Sequence, residues 1–185
     1  MKVAFIGAHG QGKTTLVYEM AARFKRDGVN VEIVKEVARG CPLPINQNTS
    51  LEAQTWVLMT QIAKEIKAGS QTKLVVCDRS VLDNFAYLER ACGFSYSRAL
   101  EAWVYEWLDT YDLLIKVPLA NTAIQEDGVR STDAQFAIEI DQLIDALGHR
   151  FKMRAVWCQL SANRENWRNE AYTLIQDFGK KRKLL

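Results

Sequence analysis

The chain has 185 residues, enough for one domain and too few for a second full core. Hydrophobic residues make up 48% and charged residues 25%, a balance that buries a sizeable core and folds unaided. Lysine and arginine number 24 against 22 acids, and a net charge of +2 argues against a protein that binds by blanketing nucleic acid or an anionic membrane. The four cysteines, Cys41, Cys77, Cys92 and Cys158, stand far apart with no C-x-x-C pair. With only two histidines, no zinc-ligand spacing can be assembled. Cys77 and Cys158 lie inside apolar runs and are expected as buried, reduced thiols. No stretch approaches the length of a membrane span, and the short apolar run after Met1-Lys2 does not read as a signal peptide. The expectation is a soluble, cytoplasmic domain over residues 1–185.

Val3 to Ile6 is a short apolar run closed by glycine, a buried strand. It runs into Gly7-Ala8-His9-Gly10-Gln11-Gly12-Lys13-Thr14, which matches G-x-x-x-x-G-K-[ST] without departure, after a strand and before a helix. A triphosphate concentrates negative charge, and such a loop answers it with many donors. Gly7, Gly10 and Gly12 let the backbone curl so that successive N–H groups, Gln11 among them, face one anion at a helix N-terminus. Lys13 adds a mobile charge for the β- and γ-phosphates, and the Thr14 hydroxyl can ligate Mg²⁺. Thr15 reads as a packing or helix-start residue beside the nucleotide, and His9 as a solvent-facing loop residue in preference to a contact with the transferred phosphate.

The spacing of Leu16, Val17, Met20, Ala21 and Phe24 predicts a helix over 13–26, stopped by Asp27-Gly28. Val31 to Val34 is a second strand, followed by Glu36 and Arg39. A loop with Pro42 and Pro44 leads to a helix over 51–67, closed by Gly69. Its stripe of Leu51, Leu58, Ile62 and Ile66 is expected to face the core. Gln54, Gln61 and Glu65 share another face, which reads as solvated, or as amides on a cleft edge.

Leu74 to Cys77 predicts a third buried strand entering Asp78-Arg79-Ser80. A phosphate loop needs a carboxylate from a neighbouring strand to help hold Mg²⁺, and Asp78 is placed to supply it. Arg79 would enter the same crevice. Ser80 with Asp83 resembles a capping box for a helix over 81–90, on which Asn84 and Tyr87 could line a pocket. A helix over 97–109 carries Trp103 and Trp107 on one face, both expected to pack. Leu113 to Val117 is the fourth strand. A loop to Arg130 precedes a helix over 133–147 with Gly148 as its stop. Met153 to Leu160, with Trp157, is a fifth strand expected to be buried, and a last helix covers 164–178. Lys180 to Lys183 reads as a solvated, frayed helix end whose charge suits the helix dipole, in preference to a nucleic-acid contact. Strands alternating with long helices form βαβ units, hence an α/β fold with a mostly parallel sheet covered on both faces.

The Walker-type loop, the D-R-S signature after the third strand and the small size resemble the nucleoside and nucleotide kinase group of P-loop proteins. That group includes deoxynucleoside kinases, thymidylate kinase and the nicotinamide riboside kinase domain. Glu36-Val37-Ala38-Arg39 is similar to the E-x-x-R segment of the riboside-kinase-like ATPases, and Asp127-Gly128-Val129-Arg130 resembles their D-G-x-R lid. The resemblance implies a five-stranded sheet in the order 2-3-1-4-5, a lid over 119–132 and γ-phosphoryl transfer from Mg-ATP to a nucleoside, nucleotide or nicotinamide riboside. It implies that Glu36 orients the acceptor, that Arg39 holds it, and that Arg79 and Arg130 neutralise charge on the transferred group. The loop Ser161 to Arg164 would lie at adenine. A surface Glu–Arg pair explains Glu36 and Arg39 equally well. A small regulatory ATPase that binds a protein partner is the alternative function. No N-K-x-D guanine signature occurs, and a chain of this length is not expected to carry the helical subdomain of AAA+ machines. A homodimer is left open.

Overall fold

A computed structural model describes residues 1–119 and 133–184. Five parallel strands form one sheet in the order β2-β3-β1-β4-β5, the expected order. The strands are β1 (Lys2–Ile6), β2 (Val31–Val34), β3 (Leu74–Asp78), β4 (Leu113–Lys116) and β5 (Val156–Gln159). Between and after them run α1 (Lys13–Arg26), α2 (Leu51–Gly69), α3 (Val81–Cys92), α4 (Phe94–Leu108), α5 (Ala134–Arg150) and α6 (Trp167–Arg182).

The side-chain period of a strand divides the interior into two cores. Val3 and Phe5 of β1, Leu74 and Val76 of β3, and Leu113 and Ile115 of β4 pack with Leu16, Met20 and Phe24 of α1 and Ile175 of α6. Their alternates Ala4, Ile6, Val75, Cys77 and Leu114 pack with Leu58 of α2, Phe85 of α3, Val104 of α4 and Ile140 of α5. Burying one such side chain is worth about 1.5–3 kcal/mol. A three-layer α/β domain results, with β1 between β3 and β4 and the ends of β1 and β3 side by side. Among the described residues, no helix is long and apolar enough to cross a membrane.

The structure corrects several expectations. On α2, Leu51 and Ile66 are exposed, while Gln54, Gln61 and Glu65 turn inward beside Leu58 and Ile62. Gln61 and Glu65 face inward onto polar partners: Gln61 meets the Arg79 carbonyl just after β3, and Glu65 meets Lys2 at the start of β1, Trp107 of α4 and Tyr111. Gly148 does not end α5, which runs on to Arg150. A Cβ there would lie 2.7 Å from the Trp157 ring, so glycine serves the close packing of α5 on β5. β5 is an edge strand with half-exposed residues rather than a buried one, and Cys158 is only half-buried. Trp103 is 60% exposed and packs little, whereas Trp107 is half-buried against the core. α6 continues to Arg182, so the basic run is largely helical.

Candidate nucleotide site and adjoining cavity

The phosphate loop spans the turn from β1 to α1. Gly7 adopts φ 133°, and a Cβ on it would lie 2.7 Å from the Val117 carbonyl oxygen, so the first position of the motif tolerates only glycine. Gly10 and Gly12 also hold positive φ, which bends the chain into a cradle. Two carboxylates from outside the motif hold its entrance. The Gly7 N–H donates to Asp83 Oδ1 of α3 at 2.9 Å. The Ala8 backbone donates to Asp141 of α5, which also pairs with buried Lys116 at 3.1 Å.

Lys13 is buried, and its ammonium donates to the Ala8 carbonyl. Burial, reinforced by the nearby Arg79 charge, pushes its pKa down to about 7. Thr14 Oγ1 donates to Asp78 Oδ2 at 2.6 Å. Burial raises the Asp78 carboxyl above the usual range, with Glu36 adding to the effect and Thr14 opposing it. A hydroxyl and a carboxylate at the mouth of an anion cradle are hard oxygen donors and fit Mg²⁺, whose remaining ligands in such sites are phosphate oxygens and water. Among the described residues, no cluster of three or more His, Cys, Asp or Glu could hold a metal ion.

Thr15 is exposed rather than packed, and lines a cleft with Gly12, Glu19, Arg164, Trp167 and Arg168. The Arg164 guanidinium lies 3.1 Å from where a Gly12 Cβ would stand. Asn163 caps the short turn of helix that follows it, its side chain accepting from the Glu165 N–H. This cleft lies beside the cradle and at the loop after β5.

Beyond the loop lies a separate cavity lined by His9, Glu36, Arg39, Gln54, Arg79, Asn84 and Tyr87, with Ala38, Ile45 and Val57 as apolar wall. The Arg79 Nε donates to Glu36 Oε1 at 2.7 Å, both side chains being buried. Arg39 Nε donates to Glu36 Oε2 at 3.1 Å, so the expected i, i+3 pair exists but belongs to this larger cluster. The Arg79 guanidinium lies over the Tyr87 ring, 5.1 Å from its centre. His9 is 2% exposed and packs on Phe136, with Nδ1 3.1 Å from the Tyr87 hydroxyl; it is an inward residue, not the solvent-facing one expected. Asn84 is buried at the wall, and among the described residues its Nδ2 meets no hydrogen-bond partner.

Arg79 itself stands at φ 78°, a left-handed conformation that costs a side-chain-bearing residue about 1–3 kcal/mol. The capping box over Ser80 and Asp83 forms as expected, with Asp83 Oδ2 accepting from the Ser80 N–H at 2.9 Å. Asp83 thus bridges the phosphate loop and the D-R-S turn. Its cap signature is visible in sequence, but its bond to Gly7 depends on α3 and β1 meeting across 76 residues. Arg130 and its lid over 119–132 lie outside the described residues but for Leu119.

The structure therefore unites Lys13, Thr14 and Asp78 at the cradle, and Glu36, Arg39 and Arg79 in the adjoining cavity. A search of curated proteins finds no match to this chain. A family model described as AAA domain matches residues 2–166, from the first strand through the helical turn after β5. The motifs had suggested the nucleoside kinase group; the match supports the P-loop core common to both and specifies no acceptor. With an intact phosphate cradle on a 2-3-1-4-5 sheet and a family match over most of its length, the chain belongs to the AAA domain family of P-loop nucleotide-binding proteins.

Proposed function

We propose that the protein transfers the γ-phosphoryl group of Mg-ATP to the hydroxyl of a small acceptor, of the nucleoside, nucleotide or nicotinamide riboside class. The observation that carries this reading is the cavity beside the phosphate loop. Water attacking a γ-phosphate needs no such wall. A carboxylate, two guanidiniums, amides from Gln54 and Asn84 and the Tyr87 ring offer an organic acceptor both charge and directional contacts. The buried, unmatched Asn84 Nδ2 is a donor for which a bound acceptor would supply the oxygen or ring nitrogen.

Loop amides and Lys13 hold the phosphates. Thr14 and Asp78 would hold Mg²⁺, which supplies neutralisation of phosphate charge. The acceptor oxygen forms a bond to the γ-phosphorus as the bond to the β,γ-bridging oxygen breaks, and ADP leaves with that electron pair. The acceptor proton passes to Glu36, whose carboxylate becomes available when the acceptor hydroxyl replaces one of its guanidinium partners. Arg79 and Arg130 stabilise charge on the transferred group. This is positioning plus electrostatics, with no covalent intermediate on the protein.

ADP release from Mg-ATP, measured with and without a panel of nucleosides, nucleotides and nicotinamide riboside, tests the proposal. A phosphorylated acceptor formed one for one with ADP supports it. Glu36→Gln should then lower transfer by about 10²–10⁴-fold and leave ATP affinity intact. The family match favours one second reading, a regulatory ATPase. Hydrolysis indifferent to every acceptor, or stimulated only by a protein, establishes that reading instead. Lys13→Ala should abolish either activity.

A further inference from the structure

Behind the D-R-S turn lies a buried polar cluster that the nucleotide and acceptor chemistry does not use. Its centre is Glu65 of α2, with no side-chain exposure. Glu65 Oε2 accepts from Lys2 Nζ and from Trp107 Nε1, each at 2.8 Å. Glu65 Oε1 accepts from Gln61 Nε2 at 2.8 Å and from the Tyr111 hydroxyl at 2.5 Å. Both of those partners then reach forward to the turn. Gln61 Nε2 also donates to the Arg79 carbonyl at 3.3 Å, and the Val81 N–H donates to the Tyr111 hydroxyl at 3.0 Å.

The turn is thereby held at every point. The Arg79 N–H donates to the Phe5 carbonyl at 3.1 Å and the Ser80 N–H to Asp83. The Ser80 carbonyl accepts from the Asn84 N–H of α3 at 3.2 Å, which leaves the Arg79 carbonyl and the Val81 N–H; among the described residues these are met by Gln61 and Tyr111 of the Glu65 cluster. A residue with a side chain keeps φ 78° only where its surroundings over-determine it. The same backbone setting aims the Arg79 guanidinium at Glu36 and Tyr87 in the acceptor cavity.

We infer that Gln61 and Tyr111, oriented by Glu65, are positioning residues that clamp Arg79 in its left-handed conformation and so aim its guanidinium into the acceptor cavity. The inference rests on the transferase reading for the work Arg79 does, but not for the clamp itself. Glu65 is suited to this because its charge is answered from the far side by Lys2, leaving its other oxygen to fix an amide and a phenol.

The decisive experiment combines Gln61→Leu, Tyr111→Phe and Arg79→Ala in the full chain. Gln61→Leu should lower kcat for transfer at least about tenfold with KM for ATP held within about twofold, because the cradle is untouched. In the Arg79→Ala background, Gln61→Leu should cost less than about twofold more, since both remove one action. Independent multiplication of the two losses overturns the inference, as does a Gln61→Leu protein with unaltered kcat. The clamp is also read without catalysis, by amide exchange. Tyr111→Phe, which keeps the ring in place, should speed exchange at Val81 at least about tenfold and leave α1 unchanged. Unchanged protection at Val81 overturns the clamp. If the unmodified chain transfers phosphate to no acceptor while Val81 responds as stated, the transferase reading fails and the clamp stands.

Discussion

Lys13 is the residue whose environment says most about how the site responds to ligand. Its amine is buried and next to Arg79, and its pKa has fallen from 10.5 to about 7. A polyphosphate brings several negative charges to that amine and restores the ammonium. Between about pH 7 and 10.5 the unliganded protein therefore carries a largely neutral Lys13, and binding must draw a proton from solution. Calorimetry of Mg-ATP binding in buffers of different ionisation enthalpy should show uptake approaching one proton at pH 8.5, shrinking below pH 6, where the amine is already charged. Proton release, or uptake that does not change with pH, contradicts this account of Lys13. The cradle was legible in the chain because its chemistry needs consecutive residues: Gly7 to Thr14 are all in one motif. Gln61 was not, since an inward glutamine and a solvated one occupy the same helical period, and only the β3 turn beneath it decides which it is.

At the scale of elements, most helices and strands could be read from periodicity, and misreadings arose where a neighbour overrode a local signal. Glycine after a helical run ordinarily marks a stop. At Gly148 the helix continues, and the missing side chain makes room for Trp157 of β5. Gly148→Ala places a methyl within contact of that ring, so it should gain helix propensity yet destabilise by about 1–3 kcal/mol through overpacking. Urea denaturation checks the sign, and a stabilised variant would mean that Trp157 swings aside freely. Likewise Leu51 and Ile66 lie on the stripe that hydropathy selects, but α2 rotates to bring Gln54, Gln61 and Glu65 inward. Polar partners on β3's exit, on α4 and at Tyr111 outweigh two leucine-sized surfaces because both Glu65 oxygens and the Gln61 Nε2 are answered together.

For the molecule as a whole, the sheet places the phosphate loop where three layers meet. Asp83 ties it to α3 and Asp141 ties it to α5, while Lys116 braces Asp141 from β4. Nucleotide bound there is bound only by the folded chain, so its affinity adds directly to stability. At 100 times Kd, Mg-ATP should stabilise the protein by about 2.7 kcal/mol. Thermal melts with ATP, with and without magnesium, and with Lys13→Ala as control, measure this; a melting temperature indifferent to Mg-ATP removes the site. The strand order itself was legible only through the resemblance, because periodicity says that strands are parallel and covered but not which is central.

The sulfur of Cys77 sits on β3 one residue before Asp78, with no exposure, and burial raises its thiol well above the ordinary range. Cys41, Cys92 and Cys158 are each partly accessible. With those three replaced by serine, alkylation by iodoacetamide becomes a stopwatch for global opening, started whenever the sheet comes apart. Mg-ATP should slow that clock in proportion to occupancy, and labelling at a rate independent of nucleotide would reveal a local breach at the middle of the sheet.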